Sequence, residues 1–437
     1  MRALPLRVTM EPLKELAQTH LIAICSRLKL ITPLPTAAQI SFQQPGRNGG
    51  MGHREVTMYA PAAKWAAAAS VAPDVQCFID ASDSKLPFVD DRETCYDLLV
   101  QANVAVESSF DLIGSDDEVI PREPPASNPN APAFHDLPAD PAALSVYYGG
   151  RHRLKDLQRS LTWQIENHIY LSFLESKECS EEDVVRLHAC QQRYAGFWVN
   201  SWNAYVFSER QALIAIRLRL GLPPFADAEY ERCPLCSSDM QNDQWHAFSC
   251  VKTRRKAVTT RHDALLYLLC KFARSNCCLA RVEPKDEASL VPDGEIHLPG
   301  ETVLIDVSAT YPNAPSYRHR SAQRLGSAIA TRESTKANKY DEHSRSRNAR
   351  FVPFVMCAYG GYGKEAIKLI NLIENEAFHP GLGLPASCRM SKTVFATIAS
   401  CLWQCHNANI IIQWYTMIRA KNLKKSRIAD AIARLRR

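Results

Sequence analysis

Four metal-ligating residues lie close together near the middle of the chain, and their spacing constrains the fold more than any other feature. Cys233 and Cys236 form a C-x2-C turn, and His246 and Cys250 follow it. Such a turn aims two sulfur atoms at one point, and residues four apart share one face of a helix. Four sulfur and nitrogen ligands complete the closed tetrahedron that is typical of structural zinc. The spacing therefore predicts a zinc module, and the alternative is four unrelated reduced side chains.

The cysteine count and the start of the sequence predict an intracellular protein. The chain has 15 cysteines, an odd number, and residues 1–14 lack an apolar stretch before a small-residue cleavage site. Without a secretory signal, reduced thiols are favoured over a disulfide framework. No stretch of about 18 apolar residues is present, so no membrane helix is predicted. We therefore expect a nuclear or cytoplasmic protein that does not contact a membrane.

Changes in composition predict six regions along the 437 residues. These regions are a helical region at 1–112, a proline-rich linker at 113–145, a helical spacer at 146–228, the zinc module at 229–256, a sheet-containing core at 257–380 and basic helices at 381–437. The first region includes an alanine-rich helix at 60–72, and Gly221 and Pro223 end the last helix of the spacer. The net charge of +6 permits a nucleic-acid partner without requiring one.

Strand-like periodicity begins after the zinc module and predicts a mixed sheet over 279–358. The predicted elements are a strand at 279–283, strands at 290–297 and 302–310, a polar helix at 317–344, a buried strand at 351–358 and a helix at 364–377. The second and third strands form a hairpin around Pro299-Gly300. Helices at 257–275 and 317–344 are expected to flank this sheet. The fold class is therefore α+β or α/β, with a helical N-terminal region and a small zinc knuckle.

Two aspartates are predicted to face each other in that hairpin. A symmetric turn at Pro299-Gly300 pairs Asp293 with Asp306, with their Cβ atoms roughly 5 Å apart. Like charges so close repel each other, so a cation between them is expected, and removal of one aspartate should relieve the repulsion. Oxygen ligands on a rigid sheet suit Mg²⁺ or Mn²⁺ in phosphodiester hydrolysis. The alternative is that one aspartate is a turn residue and the other an exposed strand residue.

Additional polar residues are candidates for the same site. Glu283, at the end of the preceding strand, is predicted to supply a third carboxylate. Lys336, Lys339 and Tyr340 share one face of the following helix, at positions i, i+3 and i+4. One of the two lysines is expected to stabilise negative charge at the reacting phosphate. Gly360-Gly361-Tyr362-Gly363-Lys364 lacks the full spacing of a phosphate loop and is predicted to be a turn.

These motifs occur in an order that resembles one protein family. The order is Cys233-x2-Cys236-x9-His246-x3-Cys250, Arg261-His262-Asp263, Glu283, Pro292-Asp293, Asp306 and Lys336-x2-Lys339-Tyr340. It resembles the C-terminal region of non-long-terminal-repeat retrotransposon polyproteins, which carries a zinc motif and a restriction-enzyme-like endonuclease of the PD-(D/E)-x-K superfamily. The resemblance is best over about 210–380. More loosely, Gly49-Gly50-Met51-Gly52 resembles the segment after a reverse transcriptase palm.

The resemblance implies an Mg²⁺-dependent endonuclease that nicks target DNA for primed reverse transcription. Structural Zn²⁺ and catalytic Mg²⁺ or Mn²⁺ are the implied cofactors, DNA and the element's RNA the implied partners, and no small-molecule cofactor is expected. Ser308 stands where the superfamily often has its lysine, so the implied lysine comes from the next helix. The alternative is an inactive nucleic-acid-binding zinc protein derived from a retroelement, or a host structural protein. A lysine that points at Asp293 and Asp306 would favour the enzyme.

Overall fold

The computed structural model describes residues 15, 18–19, 21–26, 34–53, 157–200, 207–225, 231–240, 243–253, 255–283, 291–376 and 389–435. The predicted helix at 60–72 and the linker at 113–145 lie outside these residues. The chain forms two compact units, one of residues 1–48 with 52–179 and the other of residues 49–51 with 180–437. The six predicted regions remain predictions, but the zinc module, the sheet and the C-terminal helix all belong to the second unit.

The described part of the first unit is helical. Helix α1 spans Thr36–Gln43, a short 3-10 turn spans Gly46–Asn48, and α2 spans Leu157–Glu175. Buried Asn48 ties the turn to α1, because its Nδ2 donates a hydrogen bond of 2.8 Å to Gln44 Oε1. Helix α1 also contacts α2 within this unit.

Three helices open the second unit. They are α3 (Glu181–Gln191), α4 (Phe197–Asn200) and α5 (Glu209–Leu220). Ser180 and Ser208 begin α3 and α5 with capping boxes, in which a serine hydroxyl accepts from the backbone three residues on. Helix α5 ends at Gly221, whose left-handed backbone at φ 72° lets its N–H close the last turn. The predicted helix end at Gly221 is therefore confirmed.

A four-stranded mixed sheet follows helix α6 (Arg255–Ser275). Its strands are β1 (Leu279–Val282), β2 (Gly294–Leu298), β3 (Glu301–Thr310) and β4 (Arg350–Cys357), in that spatial order. Strands β1 to β3 are antiparallel, and β4 pairs with β3 in parallel. The register Gly294↔Ile305 to Leu298↔Glu301 encloses the predicted turn, so both the hairpin and the α+β class are confirmed.

The two faces of β3 have different roles. Val303, Ile305 and Val307 are buried in a core that contains residues of α6 and of α9 (Lys364–Glu376). Asp306, Ser308 and Thr310 project from the opposite face, because side chains alternate along a strand. Helix α8 (Ser327–Ser346) packs on β3 and β4. The sheet thus holds polar side chains in fixed positions on the face opposite its apolar core.

Two helix predictions need correction. The polar helix predicted at 317–344 is broken into α7 (Arg318–Gln323) and α8, because Arg324 is extended and Gly326 adopts a left-handed backbone at φ 75°. The basic helices predicted at 381–437 are one continuous helix, α10 (Lys392–Leu435), of 44 residues. No described helix is both long and apolar enough to cross a membrane.

The break at Gly326 predicts a backbone-specific effect on stability. A Cβ at this position meets nothing closer than 3.5 Å, so the cost of Gly326→Ala comes from its φ of 75° and not from a clash. We expect Gly326→Ala to lower the free energy of unfolding by about 1 kcal/mol, and Gly326→Asn to lower it by less, since asparagine tolerates this conformation better. Chemical denaturation of the three proteins checks this, and equal losses for alanine and asparagine would contradict it.

Candidate functional site

The predicted zinc ligands converge on one point. One ligand atom from each of Cys233, Cys236, His246 and Cys250 lies within 4.8 Å of all the others. The Cys233 and Cys250 sulfurs are 3.9 Å apart, and Cys236 Sγ lies 3.1 Å from His246 Nε2. The set of three sulfurs and one nitrogen fits a four-coordinate ion with no open position. This cluster could therefore hold a metal ion such as zinc.

The surroundings of the cluster favour metal binding. The Nδ1 atom of His246 lies 3.2 Å from Asp243 Oδ2, which leaves Nε2 facing the sulfurs. Ser249 Oγ donates to the same carboxylate oxygen at 2.8 Å. A carboxylate on the distal nitrogen fixes the orientation of a ligating histidine. Burial raises the pKa of Cys236, but hydrogen bonds from Ser238 and His246 outweigh it and lower the pKa to about 6, which favours the thiolate.

The zinc module is packed against the C-terminal helix. Trp245 and Cys250 share a hydrophobic cluster with Trp414 and Ile418 of α10. The ring of His246 lies 6.4 Å from that of Trp414 in an edge-on arrangement. Side-chain packing on α10 and the predicted metal would thus stabilise the same segment of the chain.

The two aspartates lie next to each other at the open end of the hairpin, away from its turn. Continued by one residue, the β2–β3 register places Asp293 opposite Asp306. Asp293 Oδ2 accepts hydrogen bonds from Val307 N at 2.7 Å and from His262 Nε2 at 2.9 Å. Asp306 accepts from Lys336 Nζ at 2.8 Å and from Ser308 Oγ at 2.9 Å. Four different elements, α6, the β2 edge, β3 and α8, therefore contribute to this group.

Basic side chains offset the expected repulsion between the aspartates. The hydrogen bond to Asp293 raises the pKa of His262 to about 9, although burial lowers it, so His262 is positively charged at neutral pH. Lys336 neutralises Asp306, whose side chain is only 5% exposed. The ion pair predicts the opposite of the sequence-based expectation for Asp306: its removal should destabilise the protein, because it would leave the largely buried Lys336 ammonium without a carboxylate.

The structure distinguishes the two candidate lysines. Lys336 contacts Asp306 and its side chain is 16% exposed, whereas Lys339 is exposed and lies over the Tyr340 ring at 5.0 Å. Tyr340 is buried and its hydroxyl donates to Val291 O at 3.3 Å. Burial, with a further contribution from Asp306, raises the pKa of Tyr340 well above its usual value. Tyr340 therefore remains a neutral hydrogen-bond donor beside the carboxylates.

Glu283 does not join the two aspartates in a three-ligand group. It follows β1 with a left-handed backbone at φ 46°, and its side chain is exposed. Its backbone N–H donates to Asp293 O at 2.7 Å, so Glu283 contacts the site through its main chain. Within the described ranges, only the zinc cluster brings three or more metal-ligating side chains together. The predicted third carboxylate is thus not placed at the aspartate pair.

A cavity of about 550 Å³ connects the aspartate pair with the zinc module. Asp293, Asp306 and Lys336 line it together with Phe248 and Cys250 of the predicted zinc module. His262, Ser308 and Arg332 also line it and were not among the predicted site residues. The sequence signals were the Arg261-His262-Asp263 motif for His262 and the superfamily's lysine position for Ser308, and Arg332 had none. Nothing in the sequence placed His262 against Asp293.

The comparisons with known proteins provide no family assignment. A scan of the sequence against protein-family models found no match, and a search of curated proteins also found none. The interpretation of the cavity therefore depends on its own residues.

A partly buried carboxylate on α8 predicts a pH-dependent stability. Glu333 of α8 accepts a hydrogen bond from Glu365 N at 3.1 Å, and burial raises its pKa from 4.5 to about 7. The folded state therefore binds this proton more tightly than the unfolded chain, and stability is lost as the pH rises from about 4.5 through about 7. Glu333→Gln, which keeps the acceptor without the charge, should raise the free energy of unfolding by about 1–3 kcal/mol at pH 8 and by less at pH 5.

Thermal unfolding at the two pH values checks this prediction, with Glu342→Gln as the control. Glu342 is an exposed residue of the same helix, so its neutralisation should have little effect at either pH. An equal effect of Glu333→Gln at both pH values would contradict the assignment.

Proposed function

We propose that this chain is a metal-dependent DNA endonuclease of the PD-(D/E)-x-K type, derived from a non-long-terminal-repeat retrotransposon. The observation that carries the proposal is the group formed by Asp293, Asp306 and Lys336. These residues come from three separate elements, yet they line one cavity, and Lys336 Nζ lies 2.8 Å from Asp306 Oδ1. A lysine directed at the carboxylate pair is the feature that favours the enzyme over a binding protein. A mixed sheet flanked by helices is also the architecture that the family resemblance implies.

Asp293 and Asp306 are the proposed ligands of Mg²⁺ or Mn²⁺. Carboxylate oxygens are the ligands these ions prefer, and Asp293 Oδ1 makes no hydrogen bond with a described residue. When bound, the metal would lower the pKa of water and neutralise negative charge on the phosphate. Because no third carboxylate is grouped with them among the described residues, water and phosphate oxygens would complete the coordination of a bound ion.

The protein's own residues orient these ligands and the substrate. Val307 N and His262 hold Asp293, and Ser308 holds the second oxygen of Asp306. The Lys336 ammonium is placed to stabilise negative charge that develops on the phosphate. In the proposed reaction, water attacks phosphorus and gives up a proton to solvent. The bond from phosphorus to the 3′ oxygen breaks, the 3′ oxygen takes up a proton from solvent, and the phosphate stays on the 5′ side. The product is a free 3′-hydroxyl, which primed DNA synthesis requires.

We propose a structural role for zinc at Cys233, Cys236, His246 and Cys250. A set of four protein ligands leaves no position for a substrate, so this ion would not take part in the reaction. The module lines the cavity through Phe248 and Cys250. The zinc ion would therefore fix one wall of the proposed DNA site.

The experiment that tests the enzyme is plasmid nicking. The zinc-loaded full chain is incubated with supercoiled plasmid and Mg²⁺ or Mn²⁺, and conversion to open circles is measured. We expect nicking by the wild type, none by Asp293→Ala or Asp306→Ala, and normal nicking by Asp341→Asn. Asp341 is a matched control on α8, since it is 53% exposed and pairs only with Arg345 among the described residues. Nicking that survives replacement of both Asp293 and Asp306 would refute the proposal.

One observation favours a second candidate, a nucleic-acid-binding zinc protein without activity. Asp293 and Asp306 already have basic partners in His262 and Lys336, so their charges are balanced without a divalent ion. A site that has lost its reaction would keep such ion pairs. Tight, strongly salt-dependent DNA binding without nicking in either metal would support this candidate.

A further inference from the structure

The cavity has more basic than acidic side chains. Its basic residues are Arg261, His262, Arg332 and Lys336, and its acidic residues are Asp293 and Asp306. Four positive and two negative charges leave an excess of two positive charges when all are ionised. The two ion pairs use His262 and Lys336, so the excess belongs to the arginines. An unpaired positive charge in a cavity costs folding free energy unless an anion is bound in the cavity.

Arg332 is the least compensated of these groups. It forms no hydrogen bond or ion pair with any residue that the structure describes, and its Nε atom is buried. It lies on α8, one turn before Lys336, so both side chains project from one face of the helix. Removal of the positive charge of Arg332 should therefore not destabilise the protein in the absence of DNA. The lack of a partner among the residues that the structure describes therefore points to a ligand.

Two more unpartnered donors line the same cavity. Thr310 is 6% exposed, and its hydroxyl is buried without a hydrogen-bond partner among the described residues. Arg261 is 7% exposed, and its Nη1 donates to Asn407 Oδ1 at 2.7 Å, but its Nε has no partner there either. Buried donors are normally satisfied, so several in one cavity need an explanation. Burial lowers the pKa of Arg261 only to about 10, so it stays charged at neutral pH.

The position of Arg332 relative to the carboxylates indicates in which direction a bound DNA strand would run. Helix α8 leads from the end of β3 back to the start of β4, so it runs opposite to β3. Arg332 therefore lies beyond Lys336 toward Thr310, about 6 Å further along the helix axis. On the sheet, Ser308 and Thr310 follow Asp306 on the same face. A strand whose reacting phosphate lies at Asp306 would place a neighbouring phosphate near Arg332.

We propose that Arg332, Thr310 and Arg261 form a phosphate subsite that holds a phosphodiester group of the DNA strand next to the one that is cut. The Arg332 guanidinium supplies two adjacent N–H donors, a geometry that suits a phosphate, and Thr310 supplies a hydroxyl donor. This subsite rests on the proposed function, because it assumes that DNA enters the cavity. It assigns positioning of the strand to residues that do not contact the proposed metal ligands.

The test is equilibrium binding of a short labelled DNA duplex to the zinc-loaded full chain without Mg²⁺ or Mn²⁺, over a range of salt concentrations. We expect Arg332→Gln to weaken binding about ten-fold, as for the loss of a charge-assisted hydrogen bond. The slope of log affinity against log salt should become shallower by about 0.9, as for one phosphate contact. Arg332→Lys should recover part of the affinity, and Thr310→Val should weaken binding without a change in slope.

The matched control is Arg345→Gln. Arg345 lies on the same helix, is 78% exposed and pairs with Asp341, so its loss removes the same charge outside the cavity. Equal affinity and slope for Arg332→Gln and Arg345→Gln would overturn the subsite. A lower thermal midpoint of Arg332→Gln without DNA would also overturn it, because it would show that Arg332 has a structural partner.

Plasmid nicking separates this inference from the proposed function. A wild type that binds DNA through Arg332 but never nicks would refute the endonuclease and leave the subsite intact. A wild type that nicks, together with Arg332→Gln that binds and nicks like Arg345→Gln, would refute the subsite alone.

Discussion

Replacement of Lys336 by methionine should reduce plasmid nicking by about 100-fold or more, whereas Lys339→Met should leave the rate within about two-fold. Removal of one group that stabilises developing charge typically costs this much in rate. Only Lys336 reaches the carboxylates, with its Nζ 2.8 Å from Asp306 Oδ1, while Lys339 is exposed. The two variants remove the same charge from the same helix. The difference between their nicking rates therefore measures the effect of the position of the lysine and not the effect of net charge.

The initial rate of open-circle formation at saturating plasmid and Mg²⁺ is the measurement. Lys336→Met also leaves the carboxylate of Asp306 without its basic partner, so thermal unfolding must accompany the assay, which is run well below the midpoint of each variant. Equal losses in Lys336→Met and Lys339→Met would contradict the assignment. So would wild-type nicking by a folded Lys336→Met protein.

The hairpin shows which part of the site was predictable from the sequence. Turn residues at Pro299-Gly300 and alternating apolar residues set the register of two strands, because both signals are local. The observed pairing of Gly294 with Ile305 follows from them, and so does the proximity of Asp293 and Asp306. The zinc cluster was predictable for the same reason, since its ligands lie within 18 residues, from Cys233 to Cys250.

Other parts of the site depend on tertiary packing that local periodicity does not specify. His262 is 31 residues from Asp293, and only the docking of α6 on the sheet brings them together. Helix α8 is polar on several faces, so its pattern did not indicate whether Lys336 or Lys339 faces the sheet. The break at Gly326 was missed because the polar sequence around it is compatible with a continuous helix. That Arg332 finds no partner in the described part of the chain can be seen only from three-dimensional contacts.

Removal of zinc should have the largest effect on stability. The unfolded chain lacks a preformed site, so metal-binding free energy contributes to folding, with apparent values of about 10–16 kcal/mol in isolated zinc modules. Here the ligand-bearing segment also packs on α10 through Trp245 and Trp414, so its loss would expose part of the core. If about 5 kcal/mol of this is lost from the second unit, its thermal midpoint falls by about 10–20 °C.

The experiment compares the wild type, Cys233→Ser and Cys277→Ser by elemental analysis, thermal unfolding and DNA binding. Cys277 is an exposed free thiol outside the cluster, so its variant should retain one zinc per chain and the wild-type midpoint. Cys233→Ser should lose zinc, melt at a lower temperature and bind DNA weakly, because Phe248 and Cys250 line the cavity. A chelator should reproduce this in the wild type, and added Zn²⁺ should reverse it. Well-folded wild type that contains no zinc would show that these four side chains are not a metal site.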